Sequence, residues 1–460
     1  MVLGLGRSGM AAARLLLRHG VMVTLCDSGE SPLVLERAEL LRREGATVLT
    51  GSAALADTTA YDLAILSPGI EETSPLVTPF TSRGIPLIGE LELAFTLCNC
   101  PVVAITGTNG KTTTTELTSL MLRGAGFRNE ACGNIGTPVS ELVDTEESWD
   151  LLVVEVSSFQ LETIRSFRPK VAVWLNLSPN HLDRYPSMKE YRQAKLRIFE
   201  NQTGEDWAVV PLQELEQDLP ELRARTISFS ITDARADLAL HGTNIFHRGN
   251  LLLDVSETRL RGPHNAANLM AAFGCGLALG ADLRRMASAI LEYTPPAHRC
   301  ELISERDGIR WINDSKATNL DAMEQAIRSV KGPLILIAGG KDKGFEFAPI
   351  APLITGRVSL AILIGEMRHR IARDWAGVPV SPVGSLEEAV ALAARNAAAG
   401  TTVLFSPGTS SFDMFRDYIA RGESFRRLVG ELSKNGFPAS QEAAFSNPPA
   451  SLTLTASQPQ

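Results

Sequence analysis

Apolar and polar residues near the start of the chain alternate between two periods. Short runs of Val, Leu and Ile at Val2-Leu3, Val21 to Leu25 and Leu63 to Leu66 are separated by stretches such as Ala11 to His19, where apolar residues recur at helical spacing. Continuous apolar runs suit strands buried on both faces, and their alternation with helices predicts βαβ units and a parallel sheet. The pattern restarts at Pro101 to Ile105 and continues through Leu151 to Val154 and Val171 to Leu175. It restarts again at Leu334 to Ile337, Leu360 to Ile364 and Thr402 to Phe405. The reading is an α/β protein of three units in series, without a sequence repeat of fixed period.

Boundaries follow from these restarts: a first domain over 1–92, a second over 93–296, a third over 297–436 and a flexible tail over 437–460. Pro295-Pro296 marks the second junction, because proline stiffens a connector and lacks a backbone donor. The tail is rich in Pro, Ala, Ser, Thr and Gln, with little to offset the entropy of ordering. A chain of 460 residues is long enough for several cores. Its 44% hydrophobic and 21% charged residues are those of a globular protein, and no apolar run of about 18 residues could span a bilayer. A formal charge of -8 with no basic tail argues against general nucleic-acid binding. Six scattered cysteines do not make a secreted disulfide framework, and no signal segment opens the chain, so a cytoplasmic location is expected. Cys98-Asn99-Cys100 could be half a metal site, but no second Cys or His pair stands at zinc-ligand spacing.

The strongest chemical signal follows the strand at 101–105. The loop Thr106-Gly107-Thr108-Asn109-Gly110 leads into Lys111, Thr112 and Thr113, which open a helix. Glycines let backbone N–H groups crowd a phosphate and the helix N-terminus adds positive potential. Lys111 can reach terminal phosphates and Thr112 can ligate Mg²⁺. The usual G-x-x-x-x-G-K-[ST] loop would have glycine where this chain has Ile105, and the competing reading is a Gly-rich turn without a ligand. Leu151 to Val154 leads into Glu155, and Val171 to Leu177 into Ser178-Pro179-Asn180-His181. Parallel strands end along one edge, where ligands bind, so Glu155 and His181 are expected to face the loop and complete coordination of one or two Mg²⁺ ions. Taken singly, Glu155 reads as a strand-end carboxylate and His181 as a turn residue.

Three weaker signals accompany it. Gly4-x-Gly6-x-x-Gly9 follows a strand and Asp27 ends the next one, which formally meets the dinucleotide fingerprint. Hydride transfer would also need a nicotinamide and a catalytic acid or base, so this turn is read as a holder of another diphosphate, or as tight strand–helix packing. Trp311 to Asn319 is dense in polar groups at a strand end. There Asp314 and Lys316 could reach nucleotide or substrate, or Asp314 or Ser315 could cap a helix. Arg299 could meet phosphates as a planar cation, and Gly339-Gly340-Lys341-Asp342-Lys343-Gly344 offers lysines to an anion unless it is a solvated loop.

In order along the chain, these blocks resemble the Mur ligase family. The resemblance extends to about residue 435. It is carried by Gly107 to Thr113, Gly133-Asn-Ile-Gly136, Glu155-Val-Ser-Ser-Phe-Gln-Leu-Glu162, His181-Leu-Asp-Arg-Tyr185, Ala194-Lys195-Leu-Arg, His264-Asn265-x-x-Asn268, His298-Arg299, Asn313 to Asn319 and Ser406-Pro-Gly-Thr-Ser-Ser411. Ser157 to Leu161 and Asp314 to Asn319 resemble the D-glutamate-adding members. Diaminopimelate- or lysine-adding relatives would show a histidine after the paired serines and a Tyr-Ala-His segment after the hinge, and neither is present.

The resemblance implies a three-domain Mur ligase fold: a Rossmann-like N-terminal domain for UDP, a central P-loop ATPase domain, and a Rossmann-like C-terminal domain for the incoming amino acid. It implies a monomer that uses ATP and Mg²⁺, with Mn²⁺ as substitute, to join D-glutamate to UDP-N-acetylmuramoyl-L-alanine through an acyl phosphate in peptidoglycan precursor synthesis. By the same resemblance Lys111, His181 and Lys195 are catalytic, Lys195 matching a lysine that is carbamylated. Thr112, Glu155, His181 and Lys195 set the metal. Gly107, Thr108, Asn109, Gly110, Lys111, Thr112 and Thr113 hold ATP with Asn268, Arg299, Asp314 and Lys316. Gly4, Arg7, Ser8, Asp27, Ser28, Gly69, Asn134 and Ser157 match the UDP-muramoyl side, and Thr318, Lys343, Ser411, Phe412 and Tyr418 the D-glutamate pocket. The segment Asp27-Ser28-Gly29 lacks an arginine that some relatives carry, and a chain that begins almost inside its first strand suggests a short start. Two other classes compete: a P-loop switch that hydrolyses ATP without forming an amide, and a dehydrogenase that would bind a nicotinamide.

Overall fold

The computed structural model describes residues 1–435 except Asp144, Glu146, 181–183, Asp218, Arg261, 294–296, Lys331 and Gly344. His181, the Pro295-Pro296 pair and the tail at 437–460 therefore lie outside the described residues. The described chain forms three sheets. The first has five strands in the spatial order Thr47–Thr50, Thr24–Asp27, Val2–Leu3, Ala64–Leu66, Leu87–Gly89, every pair parallel. The strand expected at Val21 to Leu25 starts later, at Thr24, because Val21 and Met22 sit in the turn after helix Arg7–Arg18, where Met22 is 97% exposed. Apolarity alone misplaced it.

The second sheet has nine strands. Val102–Thr106 lies centrally, with Leu151–Glu155 and then Asn129–Gly133 on one side. On the other side follow Val171–Trp174, Trp207–Pro211, Arg225–Ser230, Leu238–His241, Asn244–His247 and Asn250–Asp254. The last two pairings are antiparallel and the rest parallel. Both faces of the centre are buried. Val103 and Ile105 enter a core with helices Lys111–Gly124 and Pro263–Leu279, while Val102 and Ala104 enter the opposite core with helix Glu90–Thr96. Strand residues point alternately to the two faces, so a two-sided core requires the unbroken apolar run. Each such Val or Ile contributes roughly 1.5 to 3 kcal/mol by burial.

The third sheet has six strands in the order Glu301–Arg306, Ile309–Asn313, Thr402–Phe405, Leu334–Gly339, Leu360–Ile364, Val380–Pro382, antiparallel in the first pair and parallel in the rest. The chain divides into two compact units, Met1–Pro295 and Pro296–Gln460. The first two sheets share one unit, and the boundary expected at 92/93 falls inside helix Glu90–Thr96. Two buried carboxylates tie that helix to the second sheet's surroundings. Glu90 Oε1 accepts from Ser140 N at 2.8 Å, and Glu92 accepts from the backbone N–H groups of Arg165, Ser166 and Phe167 at 2.9, 2.7 and 3.0 Å. No described helix is long and apolar enough to cross a membrane.

Candidate active site

The strand Val102–Thr106 pairs with Leu151–Glu155 on one side and Val171–Trp174 on the other, so chain order diverges on either side of it. Its C-terminal end opens on the crevice where parallel sheets bind ligands. Gly110 caps helix Lys111–Gly124 with φ at +82°, and a Cβ there would fall 2.5 Å from Asn268 Oδ1. Only glycine meets both demands, and Asn268 is thereby set against the loop. The loop is clamped from the neighbouring strand end. Asn176 accepts from Thr108 N at 3.0 Å through its carbonyl and from Asn109 N at 2.9 Å through its side chain, and donates to Asn109 O at 3.1 Å. The Thr108 hydroxyl accepts from Ser178 N at 3.0 Å and lies 3.3 Å from Tyr191 Oη. Lys111 Nζ donates to Gly107 O and Thr108 O at 3.0 and 2.9 Å, folded over its own loop, with Thr112 half-buried and Thr113 buried in the first turn.

Glu155 and Lys195 converge on the same loop. Glu155 is 2% exposed; its Oε1 accepts from Asn134 Nδ2 at 2.8 Å, while Oε2 is buried with no hydrogen-bond partner among the described residues. Leaving such an oxygen unsatisfied costs about 1 to 3 kcal/mol, which a bound cation would offset. Lys195 is 1% exposed and donates to Gly107 O at 2.9 Å. Burial pulls its ammonium well below the usual lysine range; the charge on Lys111 adds to this and that of Glu155 opposes it. No group of three or more His, Cys, Asp or Glu side chains gathers at metal-holding range among the described residues. The donors present, the Glu155 carboxylate and the Thr112 hydroxyl, fit a hard cation that keeps water and phosphate oxygens, as Mg²⁺ does.

The glycine turn at Gly4 to Gly9 is tight for a packing reason. Gly4 has φ +100°, and a Cβ at Gly9 would fall 1.9 Å from Gly4 O, so helix Arg7–Arg18 lies directly on the turn. Asp27 supports this turn: its carboxylate accepts from Leu5 N and Gly29 N, both at 2.8 Å. Arg37, not anticipated from the sequence, donates to Leu5 O at 2.9 Å. Arg7, Ser28 and Gly69 are exposed and Ser8 half-buried around the turn. Asn134 joins Glu155 as above, while the Ser157 hydroxyl caps helix Ser158–Glu162, accepting from Gln160 N at 3.2 Å.

In the second unit, strand ends Asn313, Gly339 and Phe405 bring a further set together. Asp314 is buried and accepts from Cys300 N at 3.1 Å and Ser406 Oγ at 2.8 Å; burial raises its carboxyl to about 6, partly countered by these donors and by Arg299. Neither Asp314 nor Ser315 caps the following helix; Asn319 does, accepting from Ala322 N at 2.8 Å. Lys316 Nζ sits 5.5 Å from the Tyr418 ring centre, and Lys343 Nζ reaches Thr318 O at 3.5 Å. Ser411 is buried, whereas Phe412 is 67% exposed. Arg421 went unnoticed in the sequence, where it reads as one more helix-surface arginine. It is 1% exposed and ties two of these segments together, donating to Ser315 O at 2.8 Å and Thr409 O at 3.2 Å. Asn176 and Tyr191 were missed as well: Asn176 follows a strand with no glycine or charge beside it, and Tyr191 reads as one more residue of the charged helix Met188–Leu196.

Residues 1–89 match the MurD-like N-terminal domain of Mur ligases, 105–276 the Mur ligase middle domain, and 298–408 the Mur ligase glutamate ligase domain. The UDP-N-acetylmuramoylalanine–D-glutamate ligase of Geobacter metallireducens is 42% identical over 451 residues, 95% of this chain and 98% of that one. Its namesake in Trichlorobacter lovleyi is 41% identical over 439 residues, 94% of this chain and 98% of that one. Among solved structures, MurF ligase from Thermotoga maritima in complex with ADP superposes with a TM-score of 0.61 at 15% identity, covering 94% of this chain and 98% of that one. A pseudomurein peptide ligase type C from Methanothermus fervidus does so with a TM-score of 0.60 at 17% identity, covering 94% and 99%. At such identities it is the fold that is shared.

Proposed function

The chain belongs to the Mur ligase family, and from that premise we propose that it joins D-glutamate to UDP-N-acetylmuramoyl-L-alanine, with ATP activating the carboxylate, in peptidoglycan precursor synthesis. The observation that carries this reading is near-full-length identity of about two in five residues to D-glutamate ligases. A carboxylate oxygen of the muramoyl-alanine attacks the γ-phosphorus, ADP leaves, and the amine of D-glutamate displaces phosphate from the acyl phosphate. Lys111 and the loop N–H groups carry the phosphoryl charge as it shifts, since fixed donors in a dry site are worth most where charge develops. Mg²⁺, when bound, neutralises phosphate charge; Glu155 and Thr112 would hold it, and the unpartnered Glu155 oxygen supports that assignment.

The depressed ammonium of Lys195 supports carbamylation there, because the neutral amine is the form that takes up CO₂. Residues 1–92, 93–296 and 297–436 are assigned to the UDP-linked substrate, ATP and D-glutamate in a cytoplasmic monomer. In the last segment Thr318, Lys343, Ser411 and Tyr418 are the D-glutamate side, and Arg299, Asp314 and Lys316 the nucleotide side. The test is phosphate release across a panel of UDP-muramoyl acceptors and amino acids. Release that needs both UDP-N-acetylmuramoyl-L-alanine and D-glutamate, with the amide product seen by mass spectrometry, is the expected result. Turnover with L-lysine or diaminopimelate in place of D-glutamate would overturn the substrate assignment, and ATP hydrolysis without an amide would overturn the ligase itself.

A further inference from the structure

Two thiols stand apart from the chemistry above. Cys98 and Cys100 lie in the connector between helix Glu90–Thr96 and strand Val102–Thr106, both half-buried, and the backbone bends at Cys100. Their sulfurs are 3.7 Å apart, and Cys98 Sγ is also 3.4 Å from Cys100 O. Both are free thiols. The sulfurs are thus already in van der Waals contact, against the roughly 2 Å of a disulfide bond. The remaining cysteines differ. Cys26, Cys132 and Cys275 are buried, and burial raises the thiol pKa at each of these and at Cys300, which leaves them protonated and unreactive.

We propose that Cys98 and Cys100 form a dithiol modification site that closes to an intramolecular disulfide on reaction with a low-molecular-weight disulfide. Cys98 is the attacking sulfur. Either sulfur can donate in this contact; once Cys98 is a thiolate the donor is the Cys100 S–H, which draws the Cys98 pKa down to about 7 against the opposing effect of burial, while Cys100 itself is pushed up. The Cys98 thiolate attacks one sulfur of the small disulfide, forming a mixed disulfide and releasing one thiolate. Cys100 then loses its proton to water and attacks Cys98 Sγ, which expels the second thiolate. Two protein thiols are oxidised by two electrons and the small disulfide is reduced to two thiols. A thiolate near ambient pH is the best attacking group, and a neighbour already in contact resolves the mixed disulfide before a second molecule arrives.

Trypsin makes the test direct, because cleavage after Arg83 and Lys111 releases a peptide, 84–111, that holds these two cysteines and no other. The full-length chain is incubated with oxidised glutathione at neutral pH, alkylated, digested and weighed. The expected result is a peptide 84–111 lighter by two hydrogens than its reduced form, restored by dithiothreitol, with the other cysteines alkylated. C98S and C100S should each stop at a single glutathione adduct. A peptide carrying two glutathiones, or one alkylated at both positions under conditions that oxidise glutathione-accessible control thiols, would overturn the proposal.

Discussion

Asp314 couples the stability of the second unit to pH in the neutral range. Its carboxyl is raised to about 6 chiefly by burial, even though Ser406 and Cys300 donate to its two oxygens. A folded-state pKa above the ordinary 3.8 means the folded chain holds the proton more tightly. Its stabilising effect is therefore complete below about pH 4 and lost as pH rises through 6. Above that, keeping the anion buried costs about 3 kcal/mol. Asp314→Asn keeps one acceptor and removes the charge, so it should raise the denaturation midpoint of the second unit at pH 7.5 but not at pH 4, while lowering phosphate release. Equal shifts at the two pH values would refute this account. Lys111 makes the opposite case. Its half-buried ammonium donates to the Gly107 and Thr108 carbonyls of its own loop, so Lys111→Ala should lower the melting temperature by no more than a few degrees and reduce turnover by roughly 10² to 10³-fold. Retained turnover would remove it from the chemistry.

At the level of elements, what could be read from the chain tracks how each segment is buried. Strands such as Val102–Thr106 and Leu360–Ile364 are apolar on both faces and stand out as unbroken runs. The strands Leu238–His241, Asn244–His247 and Asn250–Asp254, at one end of the second sheet, escaped because polar residues interrupt their apolar runs. One of their turns also hides its signal: Arg248 and Gly249 both have positive φ, the pattern of a type I′ hairpin, but arginine stands where asparagine or aspartate would advertise it. By contrast Asp307-Gly308, between Glu301–Arg306 and Ile309–Asn313, is a plain hairpin signal that could have been read. The first glycine turn was legible as a motif, yet its physical cause is the contact between Gly9 and Gly4 O. Gly9→Ala should therefore push helix Arg7–Arg18 off the turn and raise KM for the UDP-linked substrate at least tenfold, with KM for ATP little changed. Equal effects on both would point to general unfolding instead.

For the whole molecule, the phosphate loop and Glu155 were legible because their chemistry is local or stands at a strand end, whereas Lys195, inside helix Met188–Leu196, was named only through the family resemblance. Arg421 and Asn176 were not, because they act across 106 and 67 residues of sequence that only folding brings together. The same holds for Glu92, which reads as a polar helix residue but is buried against the backbone of 165–167. That carboxylate has a practical meaning for recombination. A chimera that takes its first segment from one homologue and crosses over at 92/93 would draw the two halves of helix Glu90–Thr96 from different parents, while a crossover before Glu90 keeps the helix with the loop it holds. We expect soluble yield and melting temperature to be preserved for crossovers at 88/89 and to drop for those at 92/93. If instead the two behave alike, the helix is a spacer, and the natural joint between modules lies where the apolar pattern restarts rather than where hydrogen bonds run out.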